Sequence, residues 1–220
     1  MRYLNKIVFI NSAAIRYSEV QLDGNIHLIG TQGVGKSTIL RAILFFYNAD
    51  TQRLGISVEK KSYQDYYFPY ADSSIIYEVA REDGWFTVLS YKTMNRICYR
   101  FIASPYRPDL FIDEEGAPYP SDRIRSALDK NGIKYSGAIS TYEEYRNILY
   151  GNSDNKRDYS CYSLMESGSY QNIIRTIQNV LLNSRLEADY IKQTIITSLN
   201  EADSVIDLSR YRSHLSGFEE

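Results

Sequence analysis

Two cysteines and two histidines in 220 residues leave little material for metal or thiol chemistry. Cys98 and Cys161 each fall in a stretch that reads as a buried strand, and neither has a metal-ligand spacing. His27 and His214 lie far apart in the chain. A zinc site or a Cys/His nucleophile therefore has almost nothing to stand on. Charge of one sign is scarce as well. The net charge is −2, and the longest basic runs are the pairs Lys60-Lys61 and Lys156-Arg157. No wholesale attraction to nucleic acid follows, although a local basic face stays open. The N-terminal residues Met1–Lys6 carry no long apolar run, and nothing later approaches the roughly 20 apolar residues of a membrane span. No internal repeat and no low-complexity segment is visible. The expectation is a reduced, cytoplasmic protein with no membrane partner.

What the chain has in excess is tyrosine, at 21 residues. Half-buried strands and helix faces account for such a count more simply than a stacking platform for bases. The length suits one sizeable α/β domain with room for a small appended lobe. Charged residues at 24% and hydrophobic ones at 44% are ordinary for a globular protein.

Lys6–Asn11 and Arg16–Leu22 are predicted strands, and after the turn pair Asp23-Gly24 a third strand is predicted over Asn25–Ile29. Ile39, Leu40, Ile43, Leu44 and Tyr47 recur at helical spacing, so Lys36–Tyr47 is a predicted helix with that apolar face. Asn48–Tyr70 reads as a loop with an aromatic cluster. Three strands then follow, Ser74–Ala80, Trp85–Tyr91 and Ile97–Ile102, joined by turns at Glu82-Asp83-Gly84 and Lys92–Asn95. Such an antiparallel meander is foreign to a minimal phosphate-loop domain. Pro105, Pro108, Pro118 and Pro120 bracket a short apolar piece, Leu110-Phe111-Ile112. Beyond it come helices over Ser121–Lys130 and Thr141–Leu149, a strand near Tyr159–Met165, and helices over Tyr170–Leu182 and Glu187–Leu199.

The sharpest signal is Gly30-Thr31-Gln32-Gly33-Val34-Gly35-Lys36-Ser37, which fits G-x-x-x-x-G-K-S without a mismatch between a predicted strand and a predicted helix. Glycines let successive backbone N–H groups turn inward toward phosphate oxygens, and the helix adds the partial positive charge of its N-terminus. Lys36 is placed to bridge β- and γ-phosphate oxygens, Ser37 to ligate Mg2+, and Thr38 to add a hydroxyl near the α-phosphate. The competing reading is a glycine-rich turn that merely caps a helix, and the Lys-Ser pair in register argues against it. The expected ligand is a nucleoside triphosphate, ATP with Mg2+.

Three weaker motifs compete. Leu110-Phe-Ile-Asp113-Glu114 has the form of a Walker B strand, but prolines hem in its three apolar residues and an edge hairpin with an acidic turn reads better. Asp113-Glu-Glu-Gly116 and Asn155-Lys-Arg-Asp158 imitate GTPase motifs, although the second lies in a polar loop rather than at the end of a buried strand. Ser167-Gly168-Ser169-Tyr170-Gln171 imitates an ABC signature out of register, and Ser169 reads as a helix N-cap.

Lys6–Asn11, Gly24–Thr38, Leu40–Phe46, Asp65–Tyr70, Ser73–Val79 and the closing Ile206–Arg212 together resemble the N-terminal half of the ATPase head of SMC-like proteins. That family comprises the structural maintenance of chromosomes proteins and their MukB- and Wadjet-type bacterial relatives. The resemblance implies an α/β phosphate-loop fold of ABC/SMC type. Residues 1–205 would form the N-terminal lobe, with its antiparallel meander and C-terminal helices, and residues 206–220 would begin a coiled-coil helix. Leu208, Tyr211, Leu215 and Phe218, spaced three, four and three apart, agree with the start of a heptad seam in a longer polypeptide, as they would with an ordinary amphipathic helix. The resemblance further implies two heads sandwiching ATP. It implies a C-terminal head half carrying the signature and Walker B motifs, accessory subunits, and action on DNA. Such a chain is an ATPase when completed and inactive alone. The family places a glutamine that senses Mg2+ after the Tyr159–Met165 strand, and Gln171 stands a few positions late for that role. Two other readings remain: a self-contained phosphate-loop NTPase or GTPase, and a DNA- or partner-binding module whose phosphate loop is structural.

Overall fold

The computed structural model describes residues 2–24, 26–48, 54, 62–94, 96–151 and 159–164. Its frame is a five-stranded sheet in the order β2-β1-β3-β4-β5, antiparallel throughout. The strands are β1 (Tyr3–Ser12), β2 (Ile15–Gln21), β3 (Ser74–Arg81), β4 (Gly84–Thr93) and β5 (Arg96–Ile102). The helices are α1 (Lys36–Asn48), α2 (Tyr63–Tyr67), α3 (Ser121–Lys130) and α4 (Tyr142–Leu149). Five predicted strands and three predicted helices thus appear within a few residues of their expected limits.

The sheet is covered on both sides, which is why β1 and β3 read as nearly unbroken apolar runs rather than as alternating ones. One face presents Tyr77, Tyr99 and Phe101 to α1 and α4. Phe45 stacks on Tyr99 at 6.0 Å between ring centroids, Phe46 meets Tyr77 at 5.0 Å, and Tyr145 meets Tyr99 at 4.3 Å. The opposite face presents Val8, Ile76, Leu89 and Ile102 to Leu110, Phe111, Ile124 and Leu128 of the segment that ends in α3. A buried carboxylate also belongs to the residues of that face. Glu78 accepts from Asn5 Nδ2 at 2.8 Å and from the Tyr106 backbone N–H at 2.6 Å, so the charge is held by hydrogen bonds.

The structure departs from expectation in five places. No strand forms over residues 26–29: none of the sheet's strands pairs with this segment, and Ile29 is 91% exposed. Within the predicted loop 48–70 a short helix, α2, begins at Ser62, whose hydroxyl caps the Asp65 N–H at 3.1 Å. In place of a strand, Ser160–Tyr162 forms a single 3-10 turn, and Tyr162 lies against Phe86 and Phe101. Cys98 is buried as expected, but Cys161, on that turn, is exposed. Finally, α1 buries Ala42, Leu44, Phe45 and Phe46, while Ile39, Leu40, Ile43 and Tyr47 of the predicted face are half-buried. The helix is apolar on nearly every side, so periodicity alone did not select the face that meets the sheet. Tyr170–Leu182, Glu187–Leu199 and the 206–220 seam lie outside the described residues.

Burial pushes the phenols of Tyr63, Tyr77, Tyr99 and Tyr145 far above their ordinary value. A phenol raised in the folded state keeps its contribution to stability below the unfolded value of about 10, and loses it as pH climbs toward the folded value. Each such group removes up to ~1.4 kcal/mol per pH unit in that window. Urea unfolding should therefore show stability falling steeply above about pH 10. Tyr145→Phe should flatten that fall while costing about 1 kcal/mol at neutral pH through its lost hydrogen bond.

Candidate functional site

The glycine loop follows residues 26–29, which form no strand, and leads into α1; its geometry depends on missing side chains. A Cβ on Gly30 would stand 2.7 Å from Val34 Cγ2, so any other residue there would have to displace the Val34 side chain. Gly33 and Gly35 take φ of +90° and +92°, a backbone that L side chains rarely adopt, and open space surrounds both. The reversal at these two residues delivers the chain into α1, whose first turn closes through the Thr38 and Ile39 N–H groups on the Gly35 carbonyl.

Lys36 folds back over the loop. Its ammonium donates to the Gly30 carbonyl at 2.5 Å and to the Thr31 carbonyl at 2.7 Å. The charge is therefore positioned above the loop itself. Ser37 is exposed in the first turn of α1. Thr38 is tied from behind: the Tyr67 hydroxyl donates to its carbonyl at 2.7 Å, and its own hydroxyl lies 3.3 Å from the Tyr66 hydroxyl. Burial raises the Tyr67 phenol well above its ordinary value, which keeps that donor protonated.

A cavity of about 580 Å3 opens over these groups, a size common for small-molecule sites. Gln32 to Thr38 form one wall, Ala13, Ala14 and Ile15 of the β1–β2 turn another, and Tyr66 of α2 a third. Sequence reasoning found the first wall and missed the other two. Ala13 and Tyr66 carry no motif and reach the site only through the fold. Ala13 does have φ +54°, an uncommon conformation for alanine that makes the tight turn toward the cavity.

The residues present fit a polyphosphate. The loop supplies backbone N–H groups without Cβ obstruction, a lysine already reaches over it, and a helix N-terminus with a serine hydroxyl lies at its end. Gln171, the expected second Mg2+ ligand, lies outside the described residues, as do Asn155–Asp158 and Ser167–Tyr170. Asp113 and Glu114 do not join the site. The Asp113 carboxylate accepts the Glu115 and Ala117 N–H groups at 3.0 and 2.7 Å within its own turn. That turn follows Phe111, which packs on the sheet face opposite α1. It is an edge hairpin, closed by the Ile112–Pro118 bridge. Among the described residues no group of three or more His, Cys, Asp or Glu side chains is placed to hold a metal ion.

Replacing Gly35 with alanine should strain the turn into α1 and cost about 1–2 kcal/mol, although no atom blocks the new methyl. Denaturant unfolding checks this. Ala→Gly at Ala13, where φ is already positive, should be close to neutral in the same assay, because the relief of strain offsets the added chain entropy.

Among the described residues no helix is long and apolar enough to cross a membrane. Neither a curated protein nor a solved structure matches the chain. One family does, and its match runs over residues 12–215, from the β1–β2 turn through the glycine loop and both sheet-covering segments. The chain belongs to DUF3584, a family described as proteins of unknown function.

Proposed function

We propose that this chain is the ATP-binding N-terminal part of an SMC-like head, which acts on DNA through ATP-driven dimerisation of two heads. The observation that carries the reading is the glycine loop with Lys36 folded over it at the start of α1, beneath an open cavity. The association of DUF3584 with RecF/RecN/SMC-like proteins supports a reading within that wider group. So does the apolar surface left around the loop. Ile26 and Ile29 are exposed, and Ile39, Leu40 and Ile43 of α1 are half-buried. A helix apolar on all sides ordinarily has protein on all sides. A C-terminal head half packed there would cover it.

In this reading the loop N–H groups and Lys36 hold the phosphates. Tyr67 and Tyr66 fix the first turn of α1, and the β1–β2 turn with Tyr66 borders the remainder of the nucleotide. Mg2+ bound with the nucleotide would neutralise phosphate charge, held by the Ser37 hydroxyl and by Gln171. The partners are the C-terminal head half, a second head, DNA and accessory subunits, in the cytoplasm. Ground-state contacts are present in this chain. The contacts that stabilise γ-phosphate cleavage, a Walker B pair and a signature motif, belong to the partners.

Lys36→Ala should abolish binding of a non-hydrolysed ATP analogue in calorimetric titration while leaving the circular dichroism unchanged. Unaltered affinity would sink the assignment of the site. ATP and GTP should compete within about a hundredfold of each other, equivalent to ~2.7 kcal/mol, since the groups named here contact mainly phosphates. A stronger preference for GTP would favour a GTPase instead. The chain alone should release no phosphate above the Lys36→Ala control.

A further inference from the structure

A second cavity, of about 530 Å3, lies on the sheet face opposite α1, between the β4–β5 hairpin and the start of α3. Arg100 of β5 lines it. This side chain is 5% exposed, and its Nε and Nη1 meet no hydrogen-bond acceptor. Its guanidinium lies 5.2 Å from the centre of the Tyr135 ring, a contact that leaves the charge uncompensated. A buried, unpaired guanidinium is among the most unfavourable groups a fold can hold.

The acidic groups near the cavity are already engaged. Asp72 accepts from Asn11 Nδ2 at 3.0 Å, Asp122 pairs with Arg125 at 2.5 Å, and Asp129 accepts from the Tyr135 hydroxyl at 3.0 Å. Lys92, at the mouth, reaches Asp65 at 3.7 Å. Arg100 thus remains the unanswered charge. A second feature of the same sign faces the cavity. The ten-residue helix α3 begins there at Pro120-Ser121, and Pro120 gives its first N–H groups no side-chain cap. An unpaired buried guanidinium and a helix N-terminus without a side-chain cap, whose first-turn Asp122 is paired with Arg125, line the same cavity, and both favour an anion. The volume exceeds what a bare ion needs, and Leu89, Tyr91, Phe111 and Tyr119 supply flat apolar walls.

We propose that this cavity is a second ligand site, separate from the phosphate loop, which takes a small molecule bearing a phosphate or carboxylate group on a flat apolar body. Arg100 and the α3 N-terminus receive the oxyanion, and Tyr91 and Tyr119 flank the body.

Thermal shift and calorimetric titration with phenyl phosphate and with benzoate test the proposal, with inorganic phosphate as the bodiless control. They are run on the wild-type chain and on Lys36→Ala, so that binding at the phosphate loop is counted separately. Saturable stabilisation by either aromatic probe is expected in both proteins and stronger than by inorganic phosphate, the tighter probe naming the head group. Arg100→Met should weaken that binding about tenfold or more, yet raise the melting temperature of the unliganded chain, because it removes an uncompensated buried charge. Tyr119→Ala, at the half-buried rim, should weaken it several-fold and keeps the test decisive if Arg100→Met fails to fold. Absence of binding by both aromatic probes would overturn the proposal. So would binding that survives every one of these cavity substitutions that folds.

Discussion

Tyrosine hydroxyls fastened to the backbone of α1 hold this structure in register. Tyr67 donates to the Thr38 carbonyl, Tyr77 to Ala42, Tyr145 to Phe46 and Tyr150 to Tyr47. Thr38, Ala42 and Phe46 are four residues apart, so three of the bonds run down one stripe of the helix. Donors arrive from α2, from β3 and from the α4 segment, and together they fix both the rotation of α1 and its position along its own axis. Each bond contributes about 1 kcal/mol net, but a phenol buried without its acceptor would cost more, which makes sliding the helix expensive. Four of the 21 tyrosines serve this arrangement. Phenylalanine would fill the same space and leave the helix free to shift.

The glycine loop inherits its position from that ladder. Because Tyr67 ties Thr38, the first turn of α1 is set against α2, and Tyr66 on the same short helix is brought to the cavity wall. The β1–β2 turn reaches the cavity from the other side because β1 pairs with β3, which carries Tyr77. A site whose walls come from three distant segments is therefore assembled by one helix interface. The opposite sheet face is organised differently. Apolar packing dominates there, one carboxylate, Glu78, is fully answered by hydrogen bonds, and one guanidinium, Arg100, is not. The contrast between those two buried charges marks the second cavity as unlike the rest of the core.

Much of this was legible in the sequence where local chemistry is decisive. The meander strands are bounded by turn residues, α3 starts directly after Pro120 and repeats Ile124 and Leu128 at helical spacing, and the loop declares itself through Gly30, Gly33, Gly35 and Lys36. What escaped was set by tertiary partners. Residues 26–29 have strand composition but no neighbouring strand, and pairing cannot be read from one segment. Tyr159–Met165 has the composition of a strand, yet Ser160–Tyr162 forms a 3-10 turn from which Tyr162 packs against Phe86 and Phe101. The capping pair Ser62 and Asp65 announced α2, and the aromatic cluster beside it masked that signal. Arg100 gave no signal at all, since a charged residue within a strand pattern says nothing of whether an acceptor will meet it.

The central claim is that the loop above α1 holds a nucleotide, and hydrogen–deuterium exchange addresses it at the level of single segments. The wild-type chain would be compared with and without Mg2+ and a non-hydrolysed ATP analogue. Slowed exchange concentrated in peptides covering Gly30–Ile39 and the turn at Ala13–Ile15 is the predicted result. Unchanged exchange in those peptides, with protection elsewhere or nowhere, would contradict the account.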